Sequence, residues 1–140
     1  MTTQGFDATQ LTSYALTVRV GELAAPGGQT ELTVHGDGSV VASQREANAR
    51  LALEARSRLE TPQTEFLMRS AEQFTWADAF PPRPGIPDEP IVRWTLQGPG
   101  GRTASARMWL RDAERSPLTG EVLVLLRQVI ERASDGRMYL

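Results

Sequence analysis

Leu32-Thr33-Val34-His35-Gly36-Asp37-Gly38-Ser39-Val40-Val41-Ala42 is the stretch that decides the fold. Ahead of the glycines, Leu32 and Val34 fall on one side and Glu31, Thr33 and His35 on the other. That is the period-2 alternation of a strand with one covered face. Gly36-Asp37-Gly38 interrupts it, and Ser39 to Ser43 resumes the extended pattern. Asp-Gly between two alternating runs is a hairpin cue, because both residue types accept a positive φ at low cost. Residues 29–35 and 39–44 are therefore expected to pair as an antiparallel hairpin.

Working towards the N-terminus, Tyr14, Leu16, Val18 and Val20 alternate with Ala15, Thr17 and Arg19, which predicts a further strand. Ala25-Pro26-Gly27-Gly28 is a turn between the two. Residues 1–10 are polar and expected to be flexible, leaving 11–140 as a single domain.

On the other side of the hairpin, Arg50 to Glu60 carries two periodicities. Leu51, Leu53, Ala55, Ser57 and Leu59 alternate with polar residues as in a strand, yet Ala47, Leu51, Ala55 and Leu59 recur every fourth residue as in a helix. Thr61-Pro62 is a plainer mark. Threonine as N-cap and proline in the first turn open a helix to about Phe74, with Phe66, Leu67, Ser70, Ala71 and Phe74 as its apolar face. Phe80 to Pro90 is proline-rich, an extended and stiff connection.

A second hairpin is expected from 91–97 and 102–110 around Gly98-Pro99-Gly100-Gly101. Val92, Trp94 and Leu96 form one face of its first strand, and Ala104, Ala106, Met108 and Leu110 one face of its second. The chain closes on a helix signalled by Ser116 as N-cap, Pro117 in the first turn and Gly136 past the end. Leu118, Val122, Leu125, Leu126, Val129, Ile130 and Ala133 make its stripe. The order implies an α+β fold, an antiparallel sheet of about five to six strands with two helices packed on one face.

Composition narrows the function. With 140 residues the chain can bury roughly 68–70% of its unfolded surface and needs no cross-links. There is no cysteine, which removes disulfides, thiol nucleophiles and thiolate zinc sites. A net charge of −2 argues against a general nucleic-acid binder, which carries a basic excess. All fifteen basic residues are arginine, a usage that fits the coding bias of a GC-rich bacterial genome. The N-terminus has no basic and apolar segments of a leader, and no apolar run approaches the length of a membrane span. A cytoplasmic protein without membrane contact is expected.

Catalytic arrangements are not visible. His35 is the only histidine and flanks a tight turn, so it builds neither a ligand set nor a Ser-His pair. Gly36-Asp37-Gly38-Ser39 lacks the Gly-Lys-Ser/Thr ending of a phosphate loop, and Gly98-Pro99-Gly100-Gly101 lies inside a hairpin. Asp88 and Glu89, adjacent on extended backbone, point apart. Asp112 and Glu114 lie in the loop before the last helix, where they favour its positive end. No enzyme activity, metal or cofactor is expected.

Two features remain as candidate protein-binding residues. In the proline-rich segment, fixed φ angles lower the ordering entropy lost on binding, with Arg83, Ile86 and Asp88 presented to a partner. Trp109 falls opposite Met108 on the more polar side of its strand, alongside Thr103, Ser105 and Arg107, under either a loop or a partner. Trp94, aligned with Val92 and Leu96, is expected in the core.

The layout resembles that of the small bacterial proteins related to emfourin, inhibitors of thermolysin-like metalloproteases. The pieces that carry it are Gly36-Asp37-Gly38, Ala71-Glu72-Gln73-Phe74, Pro87-Asp88-Glu89-Pro90 and Pro117-Leu118, between Leu32 and Ala133. The strand from Tyr14 is additional to that pattern. The resemblance implies that 50–60 is a strand and that the chain acts by occupying a protease. The function expected is thus a small binding protein without catalysis, an inhibitor of a metalloprotease in its sharpest form. The alternative is a structural or assembly subunit of a larger complex, with a homo-oligomer as one form of it.

Overall fold

Alternating apolar residues generate the sheet, and the turns between them set its register. The computed structural model describes residues 6–21, 28–45, 51–76, 89–138 and 140. The strands are β1 (Ala15–Gly21), β2 (Gln29–His35), β3 (Ser39–Arg45), β4 (Leu51–Arg58), β5 (Ile91–Gln97) and β6 (Thr103–Trp109). They form one antiparallel sheet in the order β4-β3-β2-β1-β5-β6. The helices are α1 (Thr61–Trp76), a short α2 (Leu110–Arg115) and α3 (Gly120–Ser134). The fold is α+β, as the sequence implies.

The first hairpin turn is a three-residue loop. Gly38 N–H donates to the His35 carbonyl at 2.9 Å, and only Gly38 within the loop takes a positive φ, 95°. Asp37 is needed for a different reason than conformational tolerance. Its Oδ1 accepts from the Ser39 N–H at 2.9 Å and the Ser39 hydroxyl at 2.7 Å, holding the start of β3. Those two bonds hold the Asp37 carboxyl below its ordinary pKa. At Gly36 the requirement is space, because a Cβ there would collide with the backbone carbonyl of Leu11. That carbonyl belongs to a short 3-10 helix, Ala8–Ser13, capped by Asp7. Phe6 packs on Tyr14 at 5.1 Å between ring centroids, so from Phe6 onwards the N-terminal segment is laid against the sheet; residues 1–5 lie outside the described residues.

Residues 51–58 are a strand, paired with β3 across a register shift at Gln44/Arg45. The strand pattern wins over the four-residue repeat because Leu53 and Ala55 then lie over the apolar core, against which α3 packs. Leu59 N–H donates to the Gly38 carbonyl at 2.8 Å, tying the end of β4 to the hairpin turn. The first intrahelical bond of α1 runs from Thr64 N–H to the Glu60 carbonyl, which makes Glu60 the cap and places Thr61 inside the helix. Gln63 Oε1 accepts from the Glu60 N–H at 3.2 Å, the side-chain half of a capping box.

One face of the sheet carries Leu16, Val18, Leu32, Val34, Val40, Ala42, Val92, Trp94, Leu96 and Met108, all buried. α1 covers β1, β5 and β6 and α3 lies against β4, so the helices share that face. From α1 come Leu67, Met68, Ala71 and Phe74, the last meeting Trp94 edge-on at 4.7 Å between centroids. Phe66, expected on the apolar face of α1, is exposed; Thr64, Met68 and Thr75 take the covered positions instead. α3 begins at Gly120, three residues after the predicted proline. Ser116 ends α2, with its Oγ accepting from Leu118 N–H, while the Thr119 hydroxyl is spent on the Ala113 carbonyl. The helix closes as read: Asp135 at φ 54° and Gly136 at φ 77° both send their N–H to the Glu131 carbonyl. Among the described residues, no helix is long and apolar enough to cross a membrane.

Candidate interaction surface

Because the helices take one face, the alternate residues of every strand are left on the other. Register fixes how they line up. One row across the sheet runs Glu54, Ser43, Glu31, Arg19, Arg93, Arg107 from the β4 edge to the β6 edge. The neighbouring row runs Arg56, Val41, Thr33, Thr17, Thr95, Ser105. The first row is acidic towards one edge and basic towards the other. At its middle, Arg19 Nε donates to Glu31 Oε2 at 2.7 Å, with both side chains well exposed. Arg93 is half-buried and Arg107 exposed. Three arginines thus stand in register on adjacent strands, the first of them paired with Glu31. Beyond Arg56 at the β4 edge, the second row is made of short side chains, with Thr17 and Thr33 hydroxyls 3.3 Å apart.

Trp109 ends β6 on this same face, half-buried, and pairs in register with Ile91. Ile91 is only 9% exposed although it points away from the helices. Trp109 therefore lies in the row beyond Arg107 on the same face, and it is also the extended cap at which α2 begins. Of the candidate residues, Trp109 is the one the structure describes. Arg83, Ile86 and Asp88, with the rest of the proline-rich connection, lie outside the described residues. The arginine row itself escaped sequence reading, since it exists only once β1, β5 and β6 are placed side by side.

Several other charged groups are held within the fold. Asp112 is in the first turn of α2, not in a loop, and Glu114 pairs with Arg127 of α3 at 2.9 Å. His35 is exposed at the hairpin end, and among the described residues no group of three or more His, Cys, Asp or Glu could hold a metal ion. Glu72 of α1 is 6% exposed and meets Arg102, 21% exposed, at 2.8 Å. Arg102 follows the Gly98–Gly101 loop, and its carbonyl accepts from Gly98 N–H at 2.7 Å, so the pair fastens the β5–β6 loop to the helix. A signal for it was present. Glu72 stands four residues after Met68 and three before Thr75, on the covered flank of α1, where an unpartnered acid is costly.

No protein-family model matches this chain, and no curated protein matches it. Geometry and chemistry carry the functional reading.

Proposed function

We propose that this protein works by docking another protein chain, without catalysis, and that the open face of the sheet is the docking surface. The observation that supports it is the registered row Arg19–Arg93–Arg107, with Trp109 two residues beyond Arg107 on β6, on a face that no helix among the described residues covers. Arginine and tryptophan are the side chains that most often anchor protein interfaces, because each offers a large rigid contact area together with polar groups.

The experiment is a capture from a lysate of the source cell, using the tagged protein, its Arg107→Glu variant and a Val124→Ser control. Val124 is exposed on α3, on the opposite side of the molecule. Partners lost with Arg107→Glu and kept with Val124→Ser support the reading, and an identical set from all three baits refutes it. Inhibition of a thermolysin-like metalloprotease, which the emfourin resemblance implies, has its own assay. Activity titrated with the protein should fall linearly to zero at one equivalent; unchanged activity removes that version and leaves docking in place.

A further inference from the structure

The row Glu54–Ser43–Glu31–Arg19–Arg93–Arg107 has a property beyond its positive half: it is complementary to its own reversal. A two-fold axis lying against the face, parallel to the strands and between β2 and β1, turns a second sheet over so that its β6 lies on the first β4. Glu54 then faces Arg107, Ser43 faces Arg93, and Glu31 faces Arg19. We propose that the partner of this face is a second copy of the chain, docked sheet to sheet in an isologous dimer. This rests on the reading above, that the open face is where a protein docks.

The remaining rows agree with the same axis. Arg56 faces Ser105, Val41 faces Thr95 and Thr33 faces Thr17. Arg58 of β4, paired with Ser39, faces Thr103, paired with Gln97, and Arg45 of β3 faces the level of Ile91. Among the described residues, no two like charges are brought opposite each other in any row. Both strong charges of the outermost pair sit on edge strands. They would lie at the rim, where desolvation is least costly. Nearer the axis, Thr17, Thr33, Val41 and Thr95 are short enough for two sheets to approach to about 10 Å, and the Arg19–Glu31 pairs of the two copies meet beside them with opposite charges facing. Aligned sheets cross at about 30°, and side chains as long as arginine and glutamate span the offset this makes at the edges.

Area is sufficient. Six strands spaced about 4.8 Å apart and about seven residues long at 3.4 Å each give a face near 700 Å². Two such faces bury about 1,400 Å², inside the range of about 1,200–2,000 Å² typical of stable specific interfaces. An isologous contact also closes on itself, so it yields a dimer and stops.

Sedimentation equilibrium of the full chain over a wide concentration range tests this, with Arg107→Glu, Glu54→Arg and the doubly exchanged variant. Both positions are exposed and distant from the core, so each variant should keep the wild-type circular dichroism and melting profile. Wild type should reversibly dimerise. Arg107→Glu places two acids opposite each other twice per dimer and Glu54→Arg two guanidinium groups, so each should dimerise at least tenfold more weakly. An equimolar mixture of the two single variants restores both contacts and should form a heterodimer, and the double exchange should recover the homodimer. A wild-type chain that stays monomeric overturns the proposal, as does a dimer insensitive to either substitution. Loss without recovery in the mixture and in the double exchange overturns it too. A monomer whose captured partners still depend on Arg107 removes the second copy but leaves the docking reading standing.

Discussion

Replacing Arg102 by methionine tests how the β5–β6 loop is held to α1. Methionine keeps most of the unbranched aliphatic stem and removes the guanidinium, leaving the Glu72 carboxylate 6% exposed without the cation 2.8 Å away. Breaking a buried pair by removing one member costs about 3–5 kcal/mol, mostly the penalty of the charge left behind. Arg102 is itself 21% exposed, so some water reaches the site and the lower end, about 3 kcal/mol, is expected. Glu72→Met leaves the opposite remainder, a long guanidinium near the surface that can swing into solvent, and should cost about 1 kcal/mol or less. The double variant replaces the pair by apolar groups and should return to within about 1 kcal/mol of wild type. Urea unfolding of the four proteins completes the cycle; with m near 2 kcal/mol/M, Arg102→Met should unfold at about 1.5 M less denaturant. Equal losses from the two single variants, or a loss below 1 kcal/mol from Arg102→Met, would refute the reasoning and class the pair with ordinary surface ion pairs.

Gly36→Ala sets a Cβ against the Leu11 carbonyl, a backbone group that must move, so it should cost at least about 2 kcal/mol and expose amides of residues 8–14 to hydrogen exchange. Asp37→Asn should be destabilising at neutral pH and equal to wild type in strong acid. The carboxyl is depressed in the folded state, so its contribution is complete above the unfolded value and disappears as pH falls through the folded one; paired thermal melts across pH 2–7 follow it. Trp94 Nε1 has no acceptor among the described residues, so Trp94→Phe recovers an unmade hydrogen bond against the loss of part of a ring. It should be nearly neutral, whereas Trp94→Ala should cost about 3–5 kcal/mol by chemical denaturation.

Most of the architecture was legible because it is written in local patterns. The Gly36–Gly38 turn, the alternation of β1, β2, β5 and β6, and the Gly136 end of α3 depend on neighbours in sequence, and each appears where it was read. The strand over 51–58 was half legible: alternation and a four-residue repeat coincide there, and only a free β3 edge beneath an apolar layer decides between them. Starts of helices were read too literally. Thr61 and Ser116 are good caps by type, yet Glu60 with Gln63 begins one helix, and Thr119, its hydroxyl spent on the Ala113 carbonyl, precedes the other. α2, six residues long, is below the length at which periodicity speaks. The polarity of the Trp109 side of β6 could be read from one strand, but the arginine row belongs to three strands brought together from distant parts of the chain.

The strand order has a consequence for how the chain is made. β1 is an interior strand in the finished sheet, yet one of its two neighbours, β5, leaves the ribosome only after α1 and the whole proline-rich connection. Until Val18 can pair with Trp94, the hairpin partners β2, β3 and β4 extend the sheet on one side only, and β1 waits as its open edge. Arg19 sits in the middle of that waiting edge, where a charge discourages pairing with the wrong chain during synthesis. A nascent chain arrested before Ile91 should therefore associate with others more readily when Arg19 is replaced by valine.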